Sequence, residues 1–304
     1  MWINRLLRSI QRQELKELEI VFVDDNSNDS SYQLIEEYSK IDKRIRLVKN
    51  DNNKGCLYGY VRSILEAKSN YTMIIDADDM LLSNLKELYE ISVKSGKDIN
   101  DFGYLRGKFN DFYKIQMNDK ELYQPDIGEL IFSHKYHGST FIAKKIMKTE
   151  VIKNIVKKLN DEYLNSNIVY HCDTFLFICI FYYVNTYQSY SHLFSQFHVE
   201  NKNSSSTGRN KNYNEFFRVS LYLFQYISEL PYSSKKIYNN HIQFAINPIL
   251  EWSLNICGNR KLEVNFEKLN KIMDSIIKNK DLEEANKIKI TKIINTIKQK
   301  SFGI

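Results

Sequence analysis

Two apolar runs in the first third of the chain each end in a cluster of acidic residues. The first run is EIVFVDDNSNDSS at Glu19–Ser31, and the second is YTMIIDADDML at Tyr71–Leu81. Such continuous apolar runs predict parallel strands that are buried on both faces. The carboxyl ends of parallel strands meet at one edge of a sheet, where open α/β folds bind their ligands. The sequence therefore predicts that both acidic clusters lie at one site.

The segment between the two clusters alternates helical and strand patterns. Arg44–Val48 has the pattern of a short strand, and apolar residues recur at helical spacing before and after it. The helical positions are Leu34, Ile35, Tyr38 and Ile41 before the strand, and Val61, Ile64 and Leu65 in the helix predicted at Tyr58–Lys68. This order predicts an α/β domain.

The acidic clusters and the loop between them match a longer signature, which runs strand, VDD-x-S-x-D-x-S, helix, N-x-G, helix, strand, D-x-D. The matching residues are Val23, Asp24, Asp25, Ser27, Asp29, Ser31, Asn53, Gly55, Arg62, Ala67, Asp76 and Asp78, with Asp79 behind them. With these residues the chain resembles the nucleotide-binding half of family 2 glycosyltransferases. The resemblance implies an α/β fold of the GT-A type, with a mixed, mainly parallel sheet flanked by helices.

The resemblance fades near Gly208, so we expect a glycosyltransferase domain at residues 1–208 and a helical C-terminal region at 209–304. Only helical patterns are visible in that region, at residues 216–227, 235–254, 266–278 and 282–298. Their apolar stripes must be covered. Docking onto the catalytic domain is the simpler role, and a basic helical surface for membrane lipid or a partner is the alternative.

The start of the chain departs from the family pattern. Family members begin with a strand that ends in Pro-x-Tyr-Asn, whereas this chain opens in a helix with Trp2, Leu6 and Ile10 on one face. The resemblance puts the absent strand between the two strands that carry the acidic clusters. We therefore expect two inner sheet edges with unpaired backbone groups. Three explanations of the absent strand remain open. The natural protein starts upstream of Met1, or the chain is a fragment, or another segment of the chain fills the gap.

The first acidic cluster is a donor-site candidate. A carboxylate at Asp24 or Asp25 can accept the uracil imide N–H or hold a ribose hydroxyl, and the resemblance favours this role for one of the two. Lys54 and Arg62, in the matched region, are further donor-binding candidates. Asp29 is equally well explained as a residue that caps the helix beginning near Ser31.

The second cluster forms an Asp-x-Asp motif. Residues i and i+2 of an extended segment point the same way, so Asp76 and Asp78 can converge on one metal or ribose site. Carboxylate oxygens with open positions for phosphate suit Mg²⁺ or Mn²⁺. The resemblance implies that Asp78 binds the metal directly and that Asp76 contacts the ribose. Asp79 is a third candidate carboxylate.

The resemblance also implies a catalytic base on a later helix, where the family carries an acidic pair before an apolar run. The segment VYHCDTFLFICIFYYV offers Asp173 at that place, with Cys172 where Glu is usual. Asp173 at the start of the helix can take a proton from an acceptor hydroxyl, giving single displacement with inversion. Helix capping is the alternative role for this carboxylate.

Four weaker candidates come from segments that match the family only in outline. His137 and Gly138, in HGSTFIAKKIMKTEVI, are expected to line the acceptor pocket. Lys202 and Arg209, in or beside an Asn- and Ser-rich stretch, can close over the diphosphate, although a plain flexible loop is the simpler interpretation. The histidines and the four scattered cysteines have no spacing that suggests zinc.

Composition limits the setting in which this chain acts. The net charge is +6, and the lysine excess after Asn259 is typical of solvated helix surfaces, so no nucleic-acid partner is expected. The most apolar stretch, Phe175–Val184, is far shorter than the ~20 residues that span a bilayer. The first ten residues lack the apolar core of a signal peptide. We expect a cytoplasmic or peripheral membrane protein.

The sequence leads to one main hypothesis and two alternatives. The main hypothesis is a metal-dependent, inverting glycosyltransferase that uses a nucleotide sugar, with UDP as the expected nucleotide, and a glycan, lipid or protein acceptor. The first alternative is a non-catalytic fragment or pseudoenzyme that acts as a binding module. The second is a phosphoacceptor receiver domain, which needs a single aspartate on a compact five-stranded unit and fits the Asp-x-Asp and Asp173 poorly.

Overall fold

In a computed structural model of the chain, the described residues are 2–82, 84–108, 111–128, 142–169, 171–199, 212–251, 254–255, 258 and 261–302. They fall into two compact units, one made of the described residues up to 199 and the other of those from 212 onward. The predicted boundary after residue 208 lies in the undescribed stretch 200–211, so it stays a prediction.

The first unit alternates strands and helices in its amino-terminal half, as predicted. Its helices are α1 (Trp2–Gln11), α2 (Ser31–Ile41), α3 (Cys56–Glu66), α4 (Leu85–Ser95), α5 (Thr149–Val156), α6 (Asp161–Leu164) and α7 (Cys172–Tyr183). Its strands are β1 (Ile20–Asp24), β2 (Ile45–Lys49), β3 (Tyr71–Met73), β4 (Met80–Leu81), β5 (Ile99–Lys108), β6 (Asp111–Ile115), β7 (Lys120–Tyr123), β8 (Lys145–Lys148) and β9 (Thr186–Val199).

The strands form two sheets. β1 and β2 pair in parallel, and the other strands form a seven-stranded sheet with the order β3-β8-β5-β9-β4, with β6 beside β5 and β7 beside β9. The mixed sheet flanked by helices confirms the predicted fold class. The expectation of mainly parallel pairing is wrong, because only β1–β2 and β5–β9 are parallel pairs among the described strands. Antiparallel neighbours such as β5 and β6 arise where the chain reverses over a short connection.

The strands that carry the acidic clusters belong to different sheets. Among the described residues, β1 pairs with β2 alone, and β3 pairs with β8 alone. Within the described residues, the other edge of each strand has no partner strand.

Two apolar clusters hold the helices against these sheets. The first joins one face of α1 to β1, β2 and α2, through Leu6, Leu7, Ile10, Ile20, Ile35 and Ile45. The second joins α4 to β5 and β8, through Leu85, Leu88, Phe102 and Ile146. The helix α7 is buried on every side from Phe175 to Phe181, which confirms the buried helix predicted from its uninterrupted apolar run.

The second unit is helical, as predicted. Its elements are α8 (Tyr213–Glu229), α9 (Lys235–Phe244), a π-helix (Ala245–Glu251), α10 (Phe266–Ile277) and α11 (Glu284–Phe302). Asn212, Ser234 and Asn265 cap α8, α9 and α10 by accepting backbone N–H bonds. The π-helix contains Pro248, which lacks the N–H that a continuous α-helix needs. No helix in the described part of the chain combines the length and hydropathy needed to cross a bilayer.

Candidate active site

Asp25 holds the loop that precedes α3. Its Oδ1 accepts hydrogen bonds from the Asn50 side chain and the Lys54 backbone N–H, both at 2.9 Å, and its Oδ2 accepts from the Gly55 N–H at 2.8 Å. Each carboxylate oxygen can accept more than one bond, so Oδ2 keeps capacity for a further donor. Asp25 thus shapes the loop and still presents an oxygen at the end of β1. Its role as a donor ligand stays a prediction.

Gly55 lets this loop approach the segment before α7. Its φ of +88° lies in the region that favours glycine, and a Cβ there would stand 2.6 Å from the Asn167 side-chain oxygen. The Leu57 N–H also donates to the Ile168 carbonyl at 3.1 Å. The close packing explains why the N-x-G motif ends in glycine. It also joins the loop held by Asp25 to the segment that leads into the helix of Asp173.

Asp24 is buried at the end of β1, where its Oδ2 accepts a hydrogen bond from the Ser27 N–H at 3.2 Å. The chain turns sharply after it, because Asn26 has a left-handed φ of 60°. Asp29 is exposed and accepts from the Ser31 N–H at 2.9 Å, beside the start of α2. This contact supports the structural role that we considered for Asp29.

Asp76 sits at the centre of the second cluster. Its Oδ1 accepts a hydrogen bond of 2.7 Å from the Tyr60 hydroxyl on α3. Burial and the charges of Asp79, Asp78 and Asp173 together raise the pKa of Asp76 to about 7, although the hydrogen bond from Tyr60 opposes the shift. Four carboxyl groups therefore interact electrostatically at this place. We call Asp76, Asp78, Asp79 and Asp173 the acidic group.

Asp79 is fully buried and anchors the acidic group to β9. It accepts a 2.9 Å hydrogen bond from the Gln196 side chain, and the Nδ1 of His198 lies 3.0 Å from its Oδ1. Burial lowers the pKa of His198, but the hydrogen bond and charge of Asp79 more than offset this, so the pKa is raised. Because Asp79 is paired with Gln196 and His198, it supports the site, and it is not the carboxylate most available to bind a ligand.

Asp173 lies in the first turn of α7 and is partly buried. Its Oδ1 accepts a 2.7 Å hydrogen bond from the Thr174 N–H, so it contributes to the start of the helix as the alternative role requires. Burial raises the pKa of Asp173, and hydrogen bonds from Thr174 reduce that shift. The preceding Cys172 places its Sγ 2.7 Å from the Sγ of Cys56, so the first turns of α3 and α7 are in contact.

Lys54 and Arg62 lie at different ends of α3. The Lys54 ammonium lies over the ring of Tyr58, 4.5 Å from its centre, beside the loop held by Asp25. The Nε of Arg62 lies 3.0 Å from a carboxylate oxygen of Glu66, near the carboxyl end of the helix. Glu66 also pairs with Arg46, whose other partner, Glu19, precedes β1. Lys54 is therefore nearer the predicted donor site, and the donor role of Arg62 stays a prediction.

Four predicted residues cannot be placed. His137 and Gly138 lie in the undescribed stretch 129–141, and Lys202 and Arg209 lie in 200–211, so all four are outside the described residues. Their roles in acceptor binding and in closing over the diphosphate remain predictions.

Sequence reasoning missed three residues of the site: Tyr60, Gln196 and His198. Each binds an aspartate that the sequence did single out. A local signal relates Gln196 to His198, because residues two apart in a strand point to the same face, here of β9. No local signal connects them with Asp79, which is more than a hundred residues earlier in the chain.

The model of the family described as "Glycosyl transferase family 2" matches residues 2–162. The chain belongs to glycosyl transferase family 2. The match covers the loop held by Asp25 and three members of the acidic group, and it ends before Asp173.

Several family 2 relatives share part of this sequence. Glycosyltransferase GlyG of Streptococcus pneumoniae is 25% identical over 164 residues, which are 51% of this chain and 54% of GlyG. The teichoic acid poly(glycerol phosphate) polymerase of Staphylococcus epidermidis is 24% identical over 61% of this chain and 25% of its own length. This chain thus spans about half of the one relative and a quarter of the other.

Solved structures share the fold of this family 2 chain. The S. aureus TarS 1–349 structure in complex with UDP has a TM-score of 0.68 at 15% identity, covering 98% of this chain and 85% of TarS 1–349. The complex of the same protein with UDP-GlcNAc has a TM-score of 0.66 at 14% identity, with the same coverage. At such identities the likeness establishes a common GT-A-like architecture.

Proposed function

We propose that this chain transfers a sugar from a nucleotide donor, with UDP as the nucleotide, to an acceptor hydroxyl. The acidic group carries the proposal, because one cluster combines carboxylates at a strand end with Asp173 at the start of α7. Membership of family 2 supports glycosyl transfer as the reaction. TarS, which has a similar fold, has been solved in complex with UDP and with UDP-GlcNAc, and this favours a UDP-linked donor.

In this proposal the donor lies along the carboxyl ends of β1 and β3. Asp25, or its buried neighbour Asp24, accepts a hydrogen bond from the uracil or the ribose. Asp76 accepts one from a ribose hydroxyl, and Tyr60 holds its carboxylate in place at 2.7 Å. Carboxylates that are already held in place accept these hydrogen bonds without reorganising. The donor sugar is then free to meet the acceptor hydroxyl.

Asp173 is the proposed base. The acceptor oxygen attacks the anomeric carbon and forms the new C–O bond, while the bond between that carbon and the phosphate oxygen breaks. The electron pair of the broken bond leaves with UDP, and the hydroxyl proton passes to Asp173. Burial raises the pKa of Asp173, which makes it a stronger base than an exposed carboxylate. Attack opposite the leaving group inverts the configuration.

The acidic group suits a divalent cation. Burial and the repulsion from the other carboxylates raise the pKa of Asp76, and a cation would relieve this repulsion. Within the described residues, no three His, Cys, Asp or Glu side chains are arranged to hold a metal ion by themselves. Mg²⁺ commonly uses only one or two carboxylates together with substrate phosphates. Asp78, with Asp76, would hold Mg²⁺ or Mn²⁺, which would stabilise the charge on the departing diphosphate.

The experiment is a UDP-release assay with a panel of UDP-sugars, comparing the wild-type chain with Asp173→Asn. Because Asn cannot accept the proton, transfer should fall by at least about a hundredfold while UDP binding is unchanged. Asp161→Asn is the matched control. Asp161 also lies in the first turn of a helix, is exposed, and should retain full activity.

Two results would contradict this assignment. If Asp173→Asn loses UDP binding with its activity, Asp173 has a structural role. If the folded wild-type chain releases UDP from no donor although it binds UDP, the non-catalytic binding module becomes the better description.

A further inference from the structure

Two cysteine thiols meet in the first unit, at the starts of two helices. Cys56 is the first residue of α3, and Cys172 is the first residue of α7. Both cysteines are free, and their sulfur atoms lie 2.7 Å apart although 116 positions separate them in the chain. A disulfide bond would need these atoms to approach by less than about 1 Å. The fold therefore brings two thiols within bonding range.

The backbone on both sides of Cys56 holds the two thiols at this place. A Cβ added at Gly55 would stand 2.6 Å from the Asn167 side-chain oxygen, so the two backbones approach closely there. After Cys56, the Leu57 N–H donates to the Ile168 carbonyl at 3.1 Å. Three consecutive residues of the loop and helix thus contact the segment that leads into α7 or its first residue. The position of the two sulfur atoms follows from the packing of these segments.

The two thiols differ in their access to solvent, which gives them different roles. Cys56 is partly exposed, whereas Cys172 is buried. The hydrogen bond to Cys56, burial and the nearby negative charges raise the pKa of the Cys172 thiol. A thiol attacks a peroxide as its thiolate and must be reached by it. Cys56 is therefore the thiol that a peroxide meets first, and Cys172 is the neighbour that completes the bond.

We propose that Cys56 and Cys172 form a modification site at which hydrogen peroxide produces a reversible disulfide within the folded chain. The Cys56 thiolate attacks one peroxide oxygen, the O–O bond breaks, and Cys56 becomes a sulfenic acid as hydroxide leaves. The Cys172 sulfur then attacks the Cys56 sulfur, gives up its proton and displaces the hydroxyl group as water. The released hydroxide and the proton of Cys56 form a second water. An external dithiol restores both thiols and becomes a disulfide itself.

The disulfide would join two segments that the candidate active site uses. The Gly55 N–H donates to Asp25 at 2.8 Å, and Asp173 directly follows Cys172. Oxidation would thus fix the loop held by Asp25 to the first turn of α7. The formation of this bond does not depend on glycosyl transfer, so it is tested without a sugar donor.

The test is peptide mapping by mass spectrometry of the full 304-residue chain, first reduced and then exposed to hydrogen peroxide. We expect a cross-linked pair of peptides that contains Cys56 and Cys172 and that dithiothreitol separates. Two of the four thiols of the chain should be lost. The oxidised chain should remain monomeric in a non-reducing gel, because the bond forms within one chain.

Variants assign the cross-link to these two thiols. Cys56→Ser and Cys172→Ser each replace one sulfur with little change of shape and should abolish the cross-link. Cys179→Ala is the matched control, because Cys179 is a buried thiol on the same helix and its loss should leave the cross-link unchanged. Circular dichroism of the three variants confirms that they are folded.

Two further measurements show that the native fold creates the site. In urea the cross-link should form at least about tenfold more slowly, because the unfolded chain must first close a long loop. In the folded chain oxidation should raise the Tm by at least about 4 °C, since the bond constrains the unfolded state. Folded Cys56→Ser should show no such rise.

Four results would overturn the proposal. They are a folded wild-type chain that forms no cross-link in excess peroxide, a cross-link through Cys179 or Cys257 in its place, a cross-link that forms equally fast in urea, and a lower Tm after oxidation.

Discussion

The first unit contains two groups of fully or partly buried carboxylates with opposite surroundings. Asp101 is inaccessible to solvent, contacts the ammonium groups of Lys144 and Lys145, and accepts a 3.0 Å hydrogen bond from Tyr187. Burial raises its pKa, but the lysine charges more than offset this and lower it. Asp76 instead has acidic neighbours, and its pKa is raised to about 7.

This difference separates a structural carboxylate from a site carboxylate. Burial is common to both groups, so burial alone does not identify a site. The charge of the neighbours does, because Asp101 is neutralised within the protein whereas the acidic group is left with an excess that a cation or a proton can relieve. The following predictions test this contrast.

The largest expected effect concerns the structural group. Asp101→Asn removes the charge that both lysines contact and leaves them buried without it. We expect the free energy of unfolding in urea to fall by about 3–5 kcal/mol. Asp161→Asn, at an exposed helix start, should change it by less than about 0.5 kcal/mol. A loss for Asp101→Asn no larger than that of the control would show that the lysines do not rely on this carboxylate.

The next effect concerns Lys145, whose pKa burial lowers from 10.5 to about 7. The folded chain releases this proton near pH 7, whereas the unfolded chain keeps it up to about pH 10.5. The unfolded state thus binds more protons in this window, and the free energy of unfolding should rise with pH, by at most about 1.4 kcal/mol per unit. Lys145→Met should remove this rise in urea titrations at several pH values. An unchanged slope would show that Lys145 is charged when folded.

A smaller effect of opposite sign is expected from Asp76 in metal-free buffer. Its folded pKa is raised to about 7 from 3.8, so the folded chain binds more protons between these values. The free energy of unfolding should therefore fall as the pH rises from about 4 to 7. The total fall should be smaller than the rise from Lys145, because the shift from 3.8 to about 7 spans a narrower pH window than the shift from 10.5 to about 7.

Asp76→Asn should remove this fall while leaving the rise above pH 7. Such a result would assign each slope to one group. If Asp76→Asn instead changes the slope above pH 7, the two groups are coupled and the contrast between them is not valid.

Much of the fold followed from local patterns. The apolar run before Asp24 predicted β1, helical spacing predicted α2 and α3, and the apolar segment at Phe175–Val184 predicted the buried α7. These patterns are local because side-chain direction repeats every two residues in a strand and about every 3.6 in a helix. Partner choice between strands is not local, and the expectation of mainly parallel pairing was wrong for that reason.

The residues of the candidate site also divide into those that a local pattern marks and those that depend on distant partners. Asp76, Asp78 and Asp173 were found because a motif or a helix start marks each of them. Tyr60, Gln196 and His198 were missed, since each is defined by a partner elsewhere in the chain. The pairing of Asp101 with two lysines more than forty residues away was missed for the same reason. Charge balance inside a fold depends on tertiary contacts that no local pattern records.

The most direct test of the central claim is a calorimetric titration of UDP into the folded chain, with and without Mn²⁺. If the acidic group is the donor site, binding should be saturable, should require Mn²⁺, and should be lost in Asp78→Ala but retained in Asp161→Asn. A folded wild-type chain that binds no UDP, or an Asp78→Ala variant that binds UDP and Mn²⁺ as well as the wild type, would contradict the claim.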